Sequence, residues 1–361
     1  MVFGVMRAAR FASGLPRLQP QVQAWTSSTL DAVVWADILG AEYQPCSRAE
    51  GMAVPAVARA RHLTAGTGAG CPLRAYRNDE LVDPLPYWLQ GTDGQLGNLS
   101  TDEADRLGIE AQSPYHRMLW TIDDHVFYGE SLWHVTDTFD DGRPRRAVRI
   151  PWEMWDRVYV EQTGRYSFTD AAGVPIKDCI YLPGPHEGIL NFAQRTIRAA
   201  GTLEMSALDI ARRPYRLELH QTTDITLTPA ERAELIGQTR QALLDNNGIL
   251  FTNAAIETNL HPIDSKELLI EGRNASALDI ARDVSMPAAM LDASTPGASL
   301  EYATLTGRNQ QWLDYGLSLY LEAIAARLSM DDIVPAGQRI AFDTSGLTAL
   351  DRPTAGNPTE D

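Results

Sequence analysis

The stretch EGILNFAQRTIRAAGTLEMSALDIAR, residues 187–212, has no proline and spaces Ile189, Phe192, Ile197, Leu203, Leu208 and Ile210 at helical intervals. Read as one helix, its 26 residues span about 39 Å at 1.5 Å each. Arg213-Pro214 ends it, because a residue before proline avoids helical backbone. The closing heptapeptide SALDIAR recurs at Ser276–Arg282, inside a second long periodic stretch running from near Ser265 to Met286-Pro287. Within the heptapeptide Ala207, Leu208, Ile210 and Ala211 share one face. Asp209 with Arg212, and Asp279 with Arg282, stand three apart and form weak exposed pairs. The flanks of the two copies do not match, so the repeat reads as two similar helical environments and not as a duplicated module.

A small αβ segment separates these helices. YRLELH is a strand. Thr228-Pro229-Ala230-Glu231 is a capping box, with threonine at the cap and glutamate three residues on. The helix it opens stops at Asn246-Asn247-Gly248. GILFTNAAIETNLHP then reads as two short strands. After the second long helix, LDASTPGAS (291–299) is a loop into a third, from about Leu300 to Ser329, with the stripe Leu313, Leu317, Tyr320, Ile324, Leu328. QRIAFDTSGL (338–347) is a strand, and the last 14 residues read as disordered.

Upstream, residues 31–69 are helical, with Pro55 placed to open a helix, and CPLRAYR (71–77) is a strand. Residues 81–110 read as a long surface loop. Ser113-Pro114 caps and opens a helix that Gly129 stops. Asp140-Asp141-Gly142 marks a hairpin, and residues 131–184 read as one twisted antiparallel sheet.

Composition narrows the function. The chain has 361 residues, enough for two or three substructures, and 44% hydrophobic residues, enough for a real core. A net charge of −16 argues against a protein that grips nucleic acid through phosphate contacts. No apolar run of about 18 residues is present to span a membrane. Cys46, Cys71 and Cys179 fit a reducing compartment, with no paired spacing for a zinc site. Residues 1–29 form a basic arm, suited to binding a partner; its first 18 residues hold three arginines and no acid.

Motifs with chemical promise mostly fail on geometry. Gly66-Thr67-Gly68-Ala69-Gly70 follows a helix and precedes a strand, the reverse of a dinucleotide loop, and reads as a helix end and turn. Asp123-Asp124-His125 offers acids and an imidazole, but neighbours on a helix point apart, whereas ligands on one face need three- or four-residue spacing. Gly129-Glu130-Ser131-Leu132-Trp133 lacks the last glycine of a nucleophile elbow. No GxxxxGK[ST] run is present. No cofactor is expected. One alternative is an acidic cytoplasmic hydrolase using Asp123, Asp124 and His125.

The order of several stretches carries more weight. PAVARARHLTAGTGAGCPLRAYR (55–77) is a helix running into a strand. WTIDDHVFYGESLWHVTDTFDDGRPRRAVRIP (120–151) is a helix, a "YG" turn and a hairpin. CIYLPGPHEGIL (179–190) leads to a long helix ending ARRP (211–214). ALDIARDVSMPAAML (277–291) is similar to a family pattern "IAR.(F/V)GVP..LLG", followed by SLEYATLTGRNQQWLDYGLSLYLEAIAARLS (299–329) and RIAFDTSGL (339–347). In this order, over about residues 30–347, the chain resembles portal proteins of tailed double-stranded DNA bacteriophages. Ser285 departs from the pattern, standing where the "GVP" glycine would be.

The resemblance implies an α+β portal fold without most of the helical crown. It implies a mixed α/β wing (30–184 and 300–347), stem helices (185–212 and 264–288), a clip (213–263) and a tunnel loop (289–299). On that reading Asp292, Ser294, Thr295, Gly297 and Ser299 face DNA. Asp209, Arg212, Asp279 and Arg282 lie on the stem, and Thr228, Glu231, Asn246 and Asn247 contact the motor or adaptors. It further implies a virion protein assembled in the host cytoplasm, a homo-oligomeric ring of about twelve subunits at one capsid vertex. Its partners would be the major capsid protein, the terminase large subunit, head-tail adaptors and DNA passing without sequence-specific binding. It would not be an enzyme and would have no membrane partner. The alternative within this class is another head-tail component, an adaptor or minor capsid protein.

Overall fold

The structure is a computed structural model that describes residues 46–83, 99–161, 164–212, 215–222, 227–245, 256–262, 269–291, 293 and 310–348. The basic arm, residues 31–45, Asn246 and Asn247, residues 300–309, the tail beyond Thr348, and Asp292, Ser294, Thr295, Gly297 and Ser299 lie outside the described residues.

Helices α1 (Arg48–Ala53) and α2 (Pro55–Gly70) lead into strands β1 (Leu73–Arg77) and β2 (Glu80–Leu81). Helices α3 (Thr101–Leu107) and α4 (Pro114–Tyr128) precede β3 (Glu130–Thr138), β4 (Pro144–Ile150), β5 (Trp155–Val160), β6 (Arg165–Asp170) and β7 (Cys179–Pro183). A short α5 (Ile189–Phe192) is followed by α6 (Gln194–Arg212), β8 (Tyr215–Gln221), α7 (Pro229–Asp245), β9 (Ile256–Pro262) and α8 (Ile270–Asp283). A π-helical turn, Leu313–Leu317, continues into α9 (Ser318–Leu328), then β10 (Gln338–Phe342) and α10 (Ser345–Thr348). The described strands form four antiparallel sheets, ordered β10-β1-β2, β4-β3-β7, β5-β6 and β8-β9. The class is α+β. The chain divides into two compact units, Leu203–Gly272 and all the rest.

In the larger unit the local signals act as read. Ser113 Oγ accepts from the His116 amide, Pro114 takes the first turn, and Gly129 closes α4 at φ +75°. The β3-β4 hairpin turns at Gly142, φ +82°. Strand β3 is buried on both faces. Trp133 points into the main core with Ile122, Leu317 and Ile324, while Leu132 packs in a second cluster with Leu107, Ile150 and Trp155. The stripe Leu313, Leu317, Tyr320, Ile324 and Leu328 is buried throughout.

Several expectations are corrected. Residues 81–110 are not all loop: Thr101–Leu107 is helical, capped by Ser100 Oγ and closed by Gly108, and it buries Ala104 and Leu107. Residues 131–184 form two sheets, because Pro151 and the 3₁₀ turn Trp152–Met154 separate β4 from β5. The stretch 187–212 is not one helix. It breaks at Ala193, so the long helix begins at Gln194. The glycine run ending at Gly70 is helical, and a Cβ on Gly68 would come within 2.6 Å of Ile122, so glycine there lets α2 approach α4. The second long helix stops at Asp283, before Met286-Pro287. The strand near the C-terminus ends at Phe342, where Asp343 and Ser345 start a helical turn.

The end of α4 is locked by backbone contact. A Cβ on Gly129 would lie 2.2 Å from the His186 carbonyl oxygen, and one on Gly188 would lie 2.3 Å from that of Phe127. Both glycines have positive φ. Gly184 N–H closes the knot by donating to the Gly129 carbonyl at 2.8 Å. Gly129→Ala must therefore displace backbone and strain φ. It is expected to cost more than about 3 kcal/mol in denaturant unfolding, against about 1–2 kcal/mol for Gly142→Ala, whose φ is also positive but whose Cβ meets nothing within 4 Å.

Candidate channel and docking surfaces

The adjacent acids of α4 point in different directions, as helical geometry requires. Asp123 receives a two-point contact from Arg48, 3.0 and 3.2 Å, and a further bond from Arg61 Nε. Asp124 accepts from Arg149 at 2.5 and 2.7 Å and from Ser131 Oγ at 2.7 Å. His125 Nε2 donates to the Leu182 carbonyl at 3.1 Å. All three residues are buried, 1% exposed or less. Burial raises the Asp124 carboxyl to about 6, against the pull of Arg149 and Ser131, and lowers His125 to about 4. Each acid is consumed by arginine and closed to substrate, and no group of three metal-ligating side chains occurs among the described residues. The run serves as a core tie, and Ser131 serves it too.

The two SALDIAR copies occupy different units, the first in Leu203–Gly272 and the second in the larger unit. Their burial differs. The first buries Ala207 and exposes Leu208 and Ala211; the second buries Ile280 and Ala281. The expected common apolar face is therefore not shared. Asp279 and Arg282 do pair, both largely exposed, which stabilises little. Asp209 is exposed on α6. Asp283 bonds Thr196 in the larger unit, and Leu203 packs 3.6 Å from the Cβ position of Gly272 in the smaller.

In the smaller unit β8 and β9 form a two-stranded ribbon and α7 follows β8. The capping box forms as read: Glu231 accepts from the Thr228 amide and hydroxyl, 2.8 Å each, which holds its carboxyl below the ordinary range. The two side chains are thus engaged with each other. Beside them Leu219, Leu227, Leu235 and Ile256 line a groove of about 430 Å³, with Ile236 61% exposed. Sequence reasoning missed this groove, since it depends on how α7 lies against the ribbon.

The segment carrying the expected tunnel loop is anchored on both sides. Helix α8 ends in a Schellman motif: the Ser285 amide donates to Arg282 and the Met286 amide to Ala281, with Ser285 at φ +52°. Ser285 adopts the left-handed geometry that the family's glycine would favour. Its carbonyl lies 2.4 Å from the Cβ position of Gly316 in the π turn, so only glycine fits there.

Two outcomes follow. Ser285→Gly relieves the left-handed strain and is expected to raise stability by about 0.5–1 kcal/mol in chemical denaturation. His125 is neutral in the fold and is charged in the unfolded chain below about 6.5, so it withdraws stability as pH falls from about 6.5 towards 4. Asp124 opposes this between about 6 and 3.8. His125→Gln is expected to lose up to about 3 kcal/mol less than the parent between about pH 7 and 4. Equal losses would remove His125 from the acid response.

Residues 55–357 match the family described as phage portal protein. No curated protein matches the chain. Among solved structures, an HK97-family phage portal protein from Corynebacterium diphtheriae is 28% identical with a TM-score of 0.66, the alignment covering 85% of this chain and 99% of that one. The neck of an empty GTA particle, computed with C6 symmetry, is 14% identical with a TM-score of 0.52, covering 93% and 88%; that likeness concerns the fold. The chain belongs to the phage portal protein family.

Proposed function

We propose that copies of this chain close into a ring at one capsid vertex, through whose axis DNA is packaged and ejected. The observation that carries the reading is the family match over residues 55–357, supported by the 28% identical portal structure. The family is structural. Ring closure needs a head-to-tail interface whose rotation returns on itself after about twelve copies. In this reading α6 and α8 supply the stem, with Asp209, Arg212, Asp279 and Arg282 on it. Leu203–Gly272 contains the clip, and Asp292, Ser294, Thr295, Gly297 and Ser299 face the DNA.

The net charge of −16 supports passage over capture, because each phosphate neutralised by a cation releases counterions and adds affinity, hence friction. Thr228 and Glu231 cap α7, so the face offered to the terminase large subunit and head-tail adaptors is the groove beside them, with Ile236 at its rim and Asn246 and Asn247 beyond the helix end. The major capsid protein then surrounds the wing, and the ring assembles in the host cytoplasm before entering the virion.

Negative-stain electron microscopy with native mass spectrometry tests the ring. Closed rings with a central hole and about a dozen subunits are expected. A monomer or dimer at every concentration and salt, with and without capsid protein, would sink the reading. In rings that form, Ile236→Glu is expected to leave the subunit count unchanged and to weaken terminase or adaptor capture at least about tenfold, as loss of a desolvated apolar anchor should.

A further inference from the structure

A groove of about 480 Å³ opens between the tip of the β3-β4 hairpin and the turn before β10. Its walls are apolar: Val82, Phe139, Ile333 and Val334 among them. Phe139 is 44% exposed, although large apolar side chains on a lone surface usually find cover. Its polar atoms are mostly acceptors. Asp140 stands at the rim, exposed and without a hydrogen bond or ion pair among the described residues. Gln338 Oε1 is buried and has no partner among the described residues. The guanidinium in the groove, Arg143, is already spent on Asp141 at 2.6 Å and on the Asp331 carbonyl at 3.3 Å. An occupant that fits must bring apolar side chains together with donors and positive charge.

One segment of the chain has that composition. Residues 1–17, MVFGVMRAARFASGLPR, carry Val2, Phe3, Met6 and Phe11 with Arg7, Arg10 and Arg17 and no acid, in a chain of net charge −16. Residues 84–98, adjacent in sequence to Val82, are apolar too but hold one aspartate and no cation. The 28 residues from Leu18 to Pro45 reach roughly 90 Å if extended, so distance does not bar the basic segment from the groove. We propose that residues 1–17 dock in the Phe139–Val334 groove, with their arginines against Asp140 and a donor on Gln338 Oε1. This assignment is independent of the ring.

The test is site-specific photo-crosslinking in the full-length protein, with p-benzoylphenylalanine in place of Phe139 and peptides mapped by mass spectrometry. Crosslinks to residues 1–17 are expected. The triple variant R7E/R10E/R17E, whose changes lie outside the described residues, should lower their yield at least about fivefold, and about 0.5 M salt should do likewise by shortening the screening length. Asp140→Arg added to the triple variant should restore the yield. Crosslinks confined to residues 84–98 or to another surface, an absence of crosslinks in folded protein, or a yield indifferent to both charge reversals would overturn the assignment. Ring formation, scored on the same samples, reports separately on the portal reading.

Discussion

Two carboxylates buried side by side on one helix hold the larger unit together. A buried charge is tolerated only where its partners return what desolvation removes. Asp123 therefore binds α4 to Arg48 of α1 and Arg61 of α2, while Asp124 binds the same helix to Arg149 of β4 and Ser131 of β3. The three guanidinium groups also lie 5.1–5.7 Å from the Trp120 ring, which covers the network from the surface side. Breaking any one pair strands the other charge, so two helices and a hairpin are fastened to α4 as one body. The apolar core then needs only to fill the space that this frame defines.

That frame explains what could be read in advance. Caps and turns were legible because their chemistry lies within three or four residues: Ser113-Pro114 with Gly129, Thr228 with Glu231, Asp140 to Gly142. The helix Thr101–Leu107 was not, since its Asp- and Gly-rich surroundings hide a helix held by Leu107 reaching a distant cluster. Nor was the break at Ala193, whose backbone at φ −98° and ψ 13° leaves helical geometry between α5 and α6. The partners of Asp123 lie 62 and 75 residues away, beyond any local pattern. The order of the family's motifs was visible, while the groove in the smaller unit waited on the placement of α7.

The heptapeptide SALDIAR makes the same point from inside one molecule. Equal propensity gives a helix twice. Burial then differs residue by residue: Ala211 is exposed and its counterpart Ala281 buried. Helix formation is a local decision, whereas the choice of face belongs to the surrounding structure. An amphipathic stripe read from seven residues describes what a helix offers, and tertiary packing selects what is used.

The π turn at Leu313–Leu317 has a geometric effect of its own. A π turn accommodates one extra residue, and each residue on a helix advances the azimuth by about 100°. The backbone preceding Leu313 therefore arrives on a different side of the helical cylinder from the one obtained by projecting the buried stripe of α9 backwards. Gly316 makes this possible, because the widened turn lies directly against the Ser285 carbonyl. The bearing of residues 310–312 relative to α9 is thus set by one supernumerary residue, and a single deletion in the turn would swing that bearing by about a quarter of a revolution.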